Sequence, residues 1–305
     1  MKYSVIDTHA DTASELYIKG GSLFNNNLHI DLARLGNICP TYFMAVFNST
    51  KSWDRAKLHA MGIINKLKSE LNDDVVLCRN YADYMNNEGK IRIFLSMEGG
   101  SPIKSLDDLR EFYGEGVRML SLVWNVSNQL ASGAGEKDES KGLTALGRSV
   151  ITEMNRLGIL TDVSHASDRS FWDIAELSEK PLIASHSNSR RMLAHKRNLT
   201  DDQFTAIKKS RGYIGLNFYP PFLSGSESAT IDDILRHADH FLALGGEDIL
   251  GIGADFDGVD CLPEGIAGAW DIYKVFDTML MHGYSEELVE KISHGNMERI
   301  LQENL

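Results

Sequence analysis

Eight short apolar runs recur along this chain, and they constrain its fold more than any other feature. They are YSVID (3–7), TYFMAVF (41–47), IRIFLSME (91–98), GVRMLSLVW (116–124), GILTDVSH (158–165), PLIASH (181–186), GYIGLNFY (212–219) and ILGIGADF (249–256). Runs this continuous suit strands buried on both faces of a parallel sheet. Between them lie stretches with helical spacing, clearest at 53–71, 144–157, 167–178, 201–210, 230–244 and 285–303. TDDQF at 200–204 and SEELVEKI at 285–292 each set a capping residue before acidic ones, which marks a helix start. Strands alternating with helices predict βαβ units, and eight such units predict a single (β/α)8 barrel of the TIM type. The competing architecture is an open doubly wound sheet, but no GxGxxG sits between strand and helix near the start. There is no low-complexity tract or linker, so residues 1–305 read as one domain.

The ends of these runs are chemically unusual. In VIDTHADT (5–12) a buried-looking strand passes into Asp7, His9 and Asp11 at alternate positions, which a straight strand would turn to one side. Ionisable groups crowded together are costly to bury unless something pairs with them. A divalent cation is one such partner, and a solvated loop is the alternative for this stretch alone. The third run ends in Glu98, the fifth in His165, the sixth in His186 and the eighth carries Asp255. Barrel chemistry sits at the C-terminal ends of the strands, so these endings converge on one face. Three histidines with Asp11, Glu98 and Asp255 suit a pair of borderline metals, since zinc takes imidazole nitrogen and carboxylate oxygen and a carboxylate can bridge two ions. Gly99 and Gly100 after Glu98 would let backbone and ligands approach closely.

Other signals point away from alternative functions. A formal net charge of -12 repels phosphate backbones and argues against nucleic-acid binding. The start MKYSVIDTHADTASELY has no long apolar run, and no window has the length a membrane span needs. Cys39, Cys78 and Cys261 lie far apart without CxxC spacing and read as reduced thiols, as expected of a cytoplasmic protein. His237 and His240 sit three apart on a predicted helix with no third ligand in view, so they read as a solvated face. DFDGVD at 255–260 lacks the acidic last ligand of a calcium loop, and turn chemistry explains Gly258. His29, His59, His195, His282 and His294 carry no usable motif, and no GxSxG supports a serine hydrolase.

The chain resembles the renal (membrane) dipeptidase family of the amidohydrolase superfamily, as a bacterial-type member. The likeness runs nearly end to end through DTHADT, SMEGG, GVRMLSLVWN, GLTALGRSVITEMNRLGILTDVSHAS, PLIASHSNSR, KRNLTDD, GLNFYPPFL and GIGADFDGV. It implies an amidohydrolase-like barrel with two zinc ions, hydrolysing dipeptides (L-Xaa-L-Xaa or L-Xaa-D-Xaa) by a metal-bridging hydroxide. By matching position, His9, Asp11 and Glu98 would bind the first zinc, and Glu98 would bridge to the second with His165 and His186. Arg197 would hold the substrate carboxylate, Tyr219 would line the same pocket, and Asp255 would handle protons. Trp124 stands where mammalian members carry a histidine that contacts substrate, which leaves oxyanion stabilisation and substrate range open. Relatives imply a homodimer. Two other readings compete: an amidohydrolase acting on N-acyl amino acids or cyclic amides, and a barrel that binds metal without turnover.

Overall fold

The computed structural model describes residues 4–36, 38–49, 53–138 and 140–305. Among the described residues there are nine strands: β1 (Ile6–Ala10), β2 (Thr41–Phe47), β3 (Val75–Leu77), β4 (Ile91–Glu98), β5 (Val117–Ser121), β6 (Leu160–Asp162), β7 (Leu182–Ala184), β8 (Tyr213–Leu216) and β9 (Leu250–Ile252). The order β2-β1-β9-β8-β7-β6-β5-β4 closes on itself because β2 also pairs with β4, from Thr41 opposite Arg92 to Phe47 opposite Glu98. The result is the expected eight-stranded parallel barrel with helices around it. β3 lies outside the ring, pairing Val75–Leu77 with Ile91–Ile93 along the edge of β4 that β5 takes over from Leu95. Three residues were too few to read as a strand from the sequence.

The first strand corrects its prediction. The run was placed at 3–7, but Tyr3 lies outside the described residues and β1 runs from Ile6 to Ala10. It continues through polar residues because Asp7 and Thr8 find partners inside the fold. Thr8 Oγ1 donates to the carbonyls of Ser185 (2.6 Å) and Ile252 (2.9 Å), and Asp7 Oδ1 accepts from the backbone of His9 (3.2 Å) and Ala254 (3.0 Å).

Side chains alternate between the barrel interior and the helical shell. At the N-terminal end the interior is apolar: Ile6, Phe43, Phe94, Met119, Leu160, Ile183 and Tyr213 form one buried cluster. The Phe43 and Phe94 rings stack with centroids 5.0 Å apart. Met297, Ile300 and Leu301 of the last helix, Asn296–Asn304, join the cluster and plug that end. Full burial of each such side chain stabilises the fold by about 1.5–3 kcal/mol. One layer toward the C-terminal end, the same strands present Thr8, Ser121, Asp162 and Ser185, all buried. The interior therefore turns from oily to polar just beneath the strand ends, which is the layer that supports the site.

Five expected helices lie within two residues of their predicted bounds: Trp53–Ser69, Ala145–Leu157, Asp168–Leu177, Asp201–Lys209 and Ile231–Ala243. The sixth segment is divided into Glu286–Glu290, a π-helical turn at Lys291–Gly295, and Asn296–Asn304. Helices Thr12–Lys19, Leu106–Glu115 and Tyr273–Met281 were not anticipated. Leu106–Glu115 did carry a signal, since Ser105 and Asp108 form a capping box. Thr12–Lys19 begins after Asp11, whose side chain makes no capping bond. Cys39, Cys78 and Cys261 are unpaired as expected. Among the described residues no helix is long and apolar enough to cross a membrane.

Candidate metal centre and active site

The six residues expected at the strand ends meet at the C-terminal mouth of the barrel, and all six are buried. Glu98, the last residue of β4, is the hub. Its Oε2 lies 3.6 Å from His9 Nε2, and its Oε1 lies 2.6 Å from His165 Nε2 and 3.5 Å from His186 Nε2. His9 Nε2 also lies 3.3 Å from Asp11 Oδ2 and 3.7 Å from Asp255 Oδ1. Two groups bring three ligand atoms each within 4.8 Å of one another: His9, Glu98 and His186, and His9, Asp11 and Asp255. Asp255, read from sequence as separate from the ligands, thus stands among them. Asp7 does not join the cluster. It faces the backbone of its own strand and of β9, and its Oδ2 has no hydrogen-bond partner.

The local backbone explains this convergence. His165 and Asp255 both sit at positive φ (66° and 64°), which L residues seldom adopt, and each turns its side chain in at a strand end. Gly99 follows Glu98 at φ 87°, and a Cβ there would lie 2.3 Å from the Asn48 carbonyl oxygen. The Asn48 N–H donates to the Glu98 carbonyl (2.8 Å), so the approach that fixes Glu98 requires glycine next to it.

The electrostatics show a pocket with more negative charge than it can hold unaided. Burial, then the charge of Glu98, push Asp11 up to about 7. Burial likewise raises Asp255. For Glu98 burial is outweighed by the facing His9 and His165 imidazoles, which hold its carboxyl well below the usual range. For His9 burial is outweighed by Glu98 and then Asp11, which raise it well above its ordinary value. Burial lowers His165 to about 4 and holds His186 well below the usual histidine range. His165 Nε2 and His186 Nε2 lie 2.9 Å apart, both aimed at one carboxylate oxygen, while Asp11 Oδ1 is buried with no partner. Orphaned acceptors, crowded carboxylates and neutral imidazoles fit cations, and the mixed nitrogen and oxygen donors fit zinc.

Above the cluster opens a cavity of about 430 Å³. Trp124 and Phe47 form one wall, their rings edge to face at 5.3 Å, and Tyr219 with Phe222 form another at 4.9 Å. Arg197 is buried on the loop after β7, where its Nη2 donates to the His186 carbonyl (3.3 Å) and its Nε has no partner. That loop is fixed on both sides. Arg190 makes a bidentate pair with Asp168 (2.7 and 2.9 Å) and donates to the carbonyls of Lys196 (3.2 Å) and Asn198 (2.7 Å), flanking Arg197. Burial lowers Arg197 from its ordinary value, partly offset by the charges of Asp255, Glu98 and Asp162.

Several supporting residues were not read from sequence. Asn217 Nδ2 donates to Asp255 Oδ2 (2.9 Å), and Asn125 Oδ1 lies 2.8 Å from His165 Nδ1. Asp257 accepts from Thr12 Oγ1 (2.5 Å) and from the backbone N–H of His29 (2.5 Å), tying the β9 turn to the loop after Thr12–Lys19. The only cue for these was nearness in sequence to other site residues: Asn125 to Trp124, Asn217 to Tyr219 and Asp257 to Asp255. His237 is a correction. It was read as solvated, but it is fully buried, with Nδ1 accepting from the Ser189 N–H (3.0 Å) and Nε2 3.0 Å from the Leu223 carbonyl. His240 instead pairs with Asp201 at 2.8 Å.

The family model for membrane dipeptidase, peptidase family M19, matches residues 1–304. Among solved structures, a dipeptidase AC of family M19 superposes with TM-score 0.91 at 31% identity, over 100% of this chain and 99% of that one. A metallopeptidase from Rhodobacter sphaeroides, solved with a phosphinate mimic of the dipeptide L-Ala-D-Ala, superposes with TM-score 0.90 at 30% identity over 99% of both chains. An uncharacterised dipeptidase of Schizosaccharomyces pombe is 35% identical over 247 residues, which cover 78% of this chain and 59% of the yeast protein.

Proposed function

Because the chain belongs to the membrane dipeptidase family, peptidase family M19, we propose that it hydrolyses the peptide bond of dipeptides with two zinc ions. The observation that carries this reading is the division of Glu98: one oxygen faces His9 and the other faces His165 and His186. His9, Asp11 and Glu98 would hold the first ion, and Glu98, His165 and His186 the second. Metal held there would supply Lewis acidity, polarising a carbonyl and lowering the pKa of a nearby water.

The remaining steps belong to the protein's own groups. Asp255 keeps Oδ2 on Asn217 and turns Oδ1 into the cluster, so Oδ1 can take a proton from the attacking water and hand it to the leaving amine. Arg197 offers a buried guanidinium without a carboxylate partner, suited to a bidentate pair with the C-terminal carboxylate of a short peptide. The aromatic walls, with Trp124 and Tyr219, exclude water from the bond being cleaved. A cavity of about 430 Å³ has room for a dipeptide.

The test is a panel of L-Xaa-L-Xaa and L-Xaa-D-Xaa dipeptides, their C-terminal amides and N-acyl amino acids, offered to the zinc-loaded chain. Release of free amino acids from dipeptides in preference to the other two classes is expected. Faster cleavage of N-acyl amino acids would move the chain to the other amidohydrolase reading, and no turnover of any class would leave a metal-binding barrel.

A further inference from the structure

A chain of hydrogen bonds runs through the polar layer beneath the site and ends on one of its imidazoles. It starts at Asp162, the last residue of β6, which is 1% exposed. Asp162 accepts from four donors: the Ser121 hydroxyl, the Ser185 hydroxyl at 2.6 Å, and the backbone N–H groups of Ser164 at 2.9 Å and Ser185 at 3.0 Å. Four donors fill the acceptor positions of a carboxylate. The single proton of the Ser185 hydroxyl is thereby committed to Asp162, and its lone pairs are what remain for His186 Nδ1, 2.8 Å away. Two lone pairs do not bond each other, so Nδ1 must carry the proton. The bare nitrogen of His186 is then Nε2, the atom aimed at Glu98 Oε1.

Serine, histidine and aspartate are the residue types of a nucleophilic triad, but the connections exclude that role. The serine lies between the aspartate and the histidine and is fully buried. A nucleophile needs its hydroxyl on the histidine and open to substrate. Ser185 is instead a relay, and it is pinned from its other side. Its carbonyl accepts from Thr8 Oγ1 (2.6 Å), and Gly215 leaves space there that a Cβ would close, at 2.1 Å from the Ser185 carbonyl oxygen. His165 has a different support, the neutral amide oxygen of Asn125 on the cavity wall. Two imidazoles facing the same carboxylate oxygen are thus held unequally, one by a buried carboxylate through a hydroxyl and one by an amide near solvent.

We propose that Asp162 and Ser185 are positioning residues that fix His186 as its Nδ1–H tautomer and thereby set how tightly the second ion is held. The consequence for the ion rests on the two-ion reading above, whereas the tautomer does not. Partners behind metal-bound histidines orient the ring and raise its basicity, and their loss typically weakens metal binding 10- to 100-fold.

The experiment reads both parts separately. Imidazole ¹⁵N shifts of the metal-free, ¹⁵N-histidine-labelled chain, with the His186 signals assigned by their loss in His186→Gln, report the tautomer. Zinc affinities then come from chelator competition on wild type, Ser185→Ala, Asp162→Asn and Ser121→Ala. His186 should be Nδ1–H in wild type and in Ser121→Ala, which removes one donor to Asp162 but leaves the relay. In Ser185→Ala and Asp162→Asn the tautomer should become mixed. The second zinc should bind roughly 10- to 100-fold more weakly there, with the first unchanged. An Nε2–H ring in wild type overturns the proposal, and that result needs no variant to fold. So does Ser185→Ala with the wild-type tautomer and both affinities intact. A wild-type chain that binds fewer than two ions contradicts the two-ion reading, while the metal-free tautomer still decides the relay.

Discussion

Replacing Arg197 by methionine should make the protein more stable and less able to recognise its substrate. Arg197 is 6% exposed, its Nε has no partner, and Nη2 makes a single 3.3 Å bond to a carbonyl. Among the described residues no carboxylate pairs with it. An unpaired buried ion carries an effective penalty of several kcal/mol. The charges of Asp255, Glu98 and Asp162 offset part of that. Methionine keeps much of the apolar stem and removes the charge, so the ligand-free chain should gain about 1–3 kcal/mol. In a chain of this length that is roughly 1.5–5 °C in Tm. The substrate carboxylate then loses a charged hydrogen-bonding partner worth about 1.5–3 kcal/mol, or roughly 10- to 150-fold in kcat/KM. The assay compares a dipeptide with its C-terminal amide. Wild type should prefer the free acid by that factor, and Arg197→Met should cleave both equally slowly. A variant that melts lower than wild type and still prefers the free acid would refute both the buried-charge argument and the clamp.

Four further outcomes follow from the same geometry. Asp255→Asn keeps the shape and the Asn217 contact but cannot accept a proton, so kcat should fall by roughly 100-fold or more; a near-normal kcat with normal zinc content by elemental analysis would end that assignment. Glu98→Ala removes the carboxylate shared by both positions, so elemental analysis should find at least one ion lost and turnover should vanish; full metal content would sink the ligand assignment. In the metal-stripped chain, Asp7 and Asp11 are pushed up to about 7 and His9 is raised, so the fold holds protons that the unfolded chain has released. Stability from raised groups is lost as pH rises through their folded values, so urea midpoints should fall between about pH 7.5 and 8.5, where the lowered histidines are neutral in both states, and zinc should flatten the part of that slope owed to His9 and Asp11. His237→Leu strands the Ser189 N–H, while the Leu223 carbonyl keeps the Arg236 guanidinium (2.8 Å), which should cost about 1–3 kcal/mol in denaturant unfolding while leaving zinc stoichiometry unchanged.

The barrel was legible because its strands are apolar on both sides and end on chemistry. TYFMAVF and IRIFLSME coincide with β2 and β4 residue for residue, and their pairing closes the ring. The site was legible because ionisable residues end several independent runs. What the pattern missed was polar residues satisfied internally. β1 runs through Asp7, Thr8 and His9, whose bonds reach β7 and β9, and hydropathy cannot see partners about 180 and 250 residues away. His237 failed for the same reason, since a histidine bonded at both ring nitrogens is as buriable as a phenylalanine. Asp255 reads from sequence as the proton carrier rather than a ligand, and its Oδ1 lies 3.7 Å from His9 Nε2. The Asp162–Ser185 relay lies one residue layer below the ligands, where DVSH and ASHS show nothing beyond ordinary strand-end residues.

The most direct test of the account is a zinc titration of the metal-stripped chain, with release of free amino acids from a cleaved dipeptide measured at each addition. Activity should be absent without metal, rise with zinc, and stop rising at two ions per chain, as a site built on the two oxygens of Glu98 requires. Full activity without zinc, or a plateau at one ion, would contradict it.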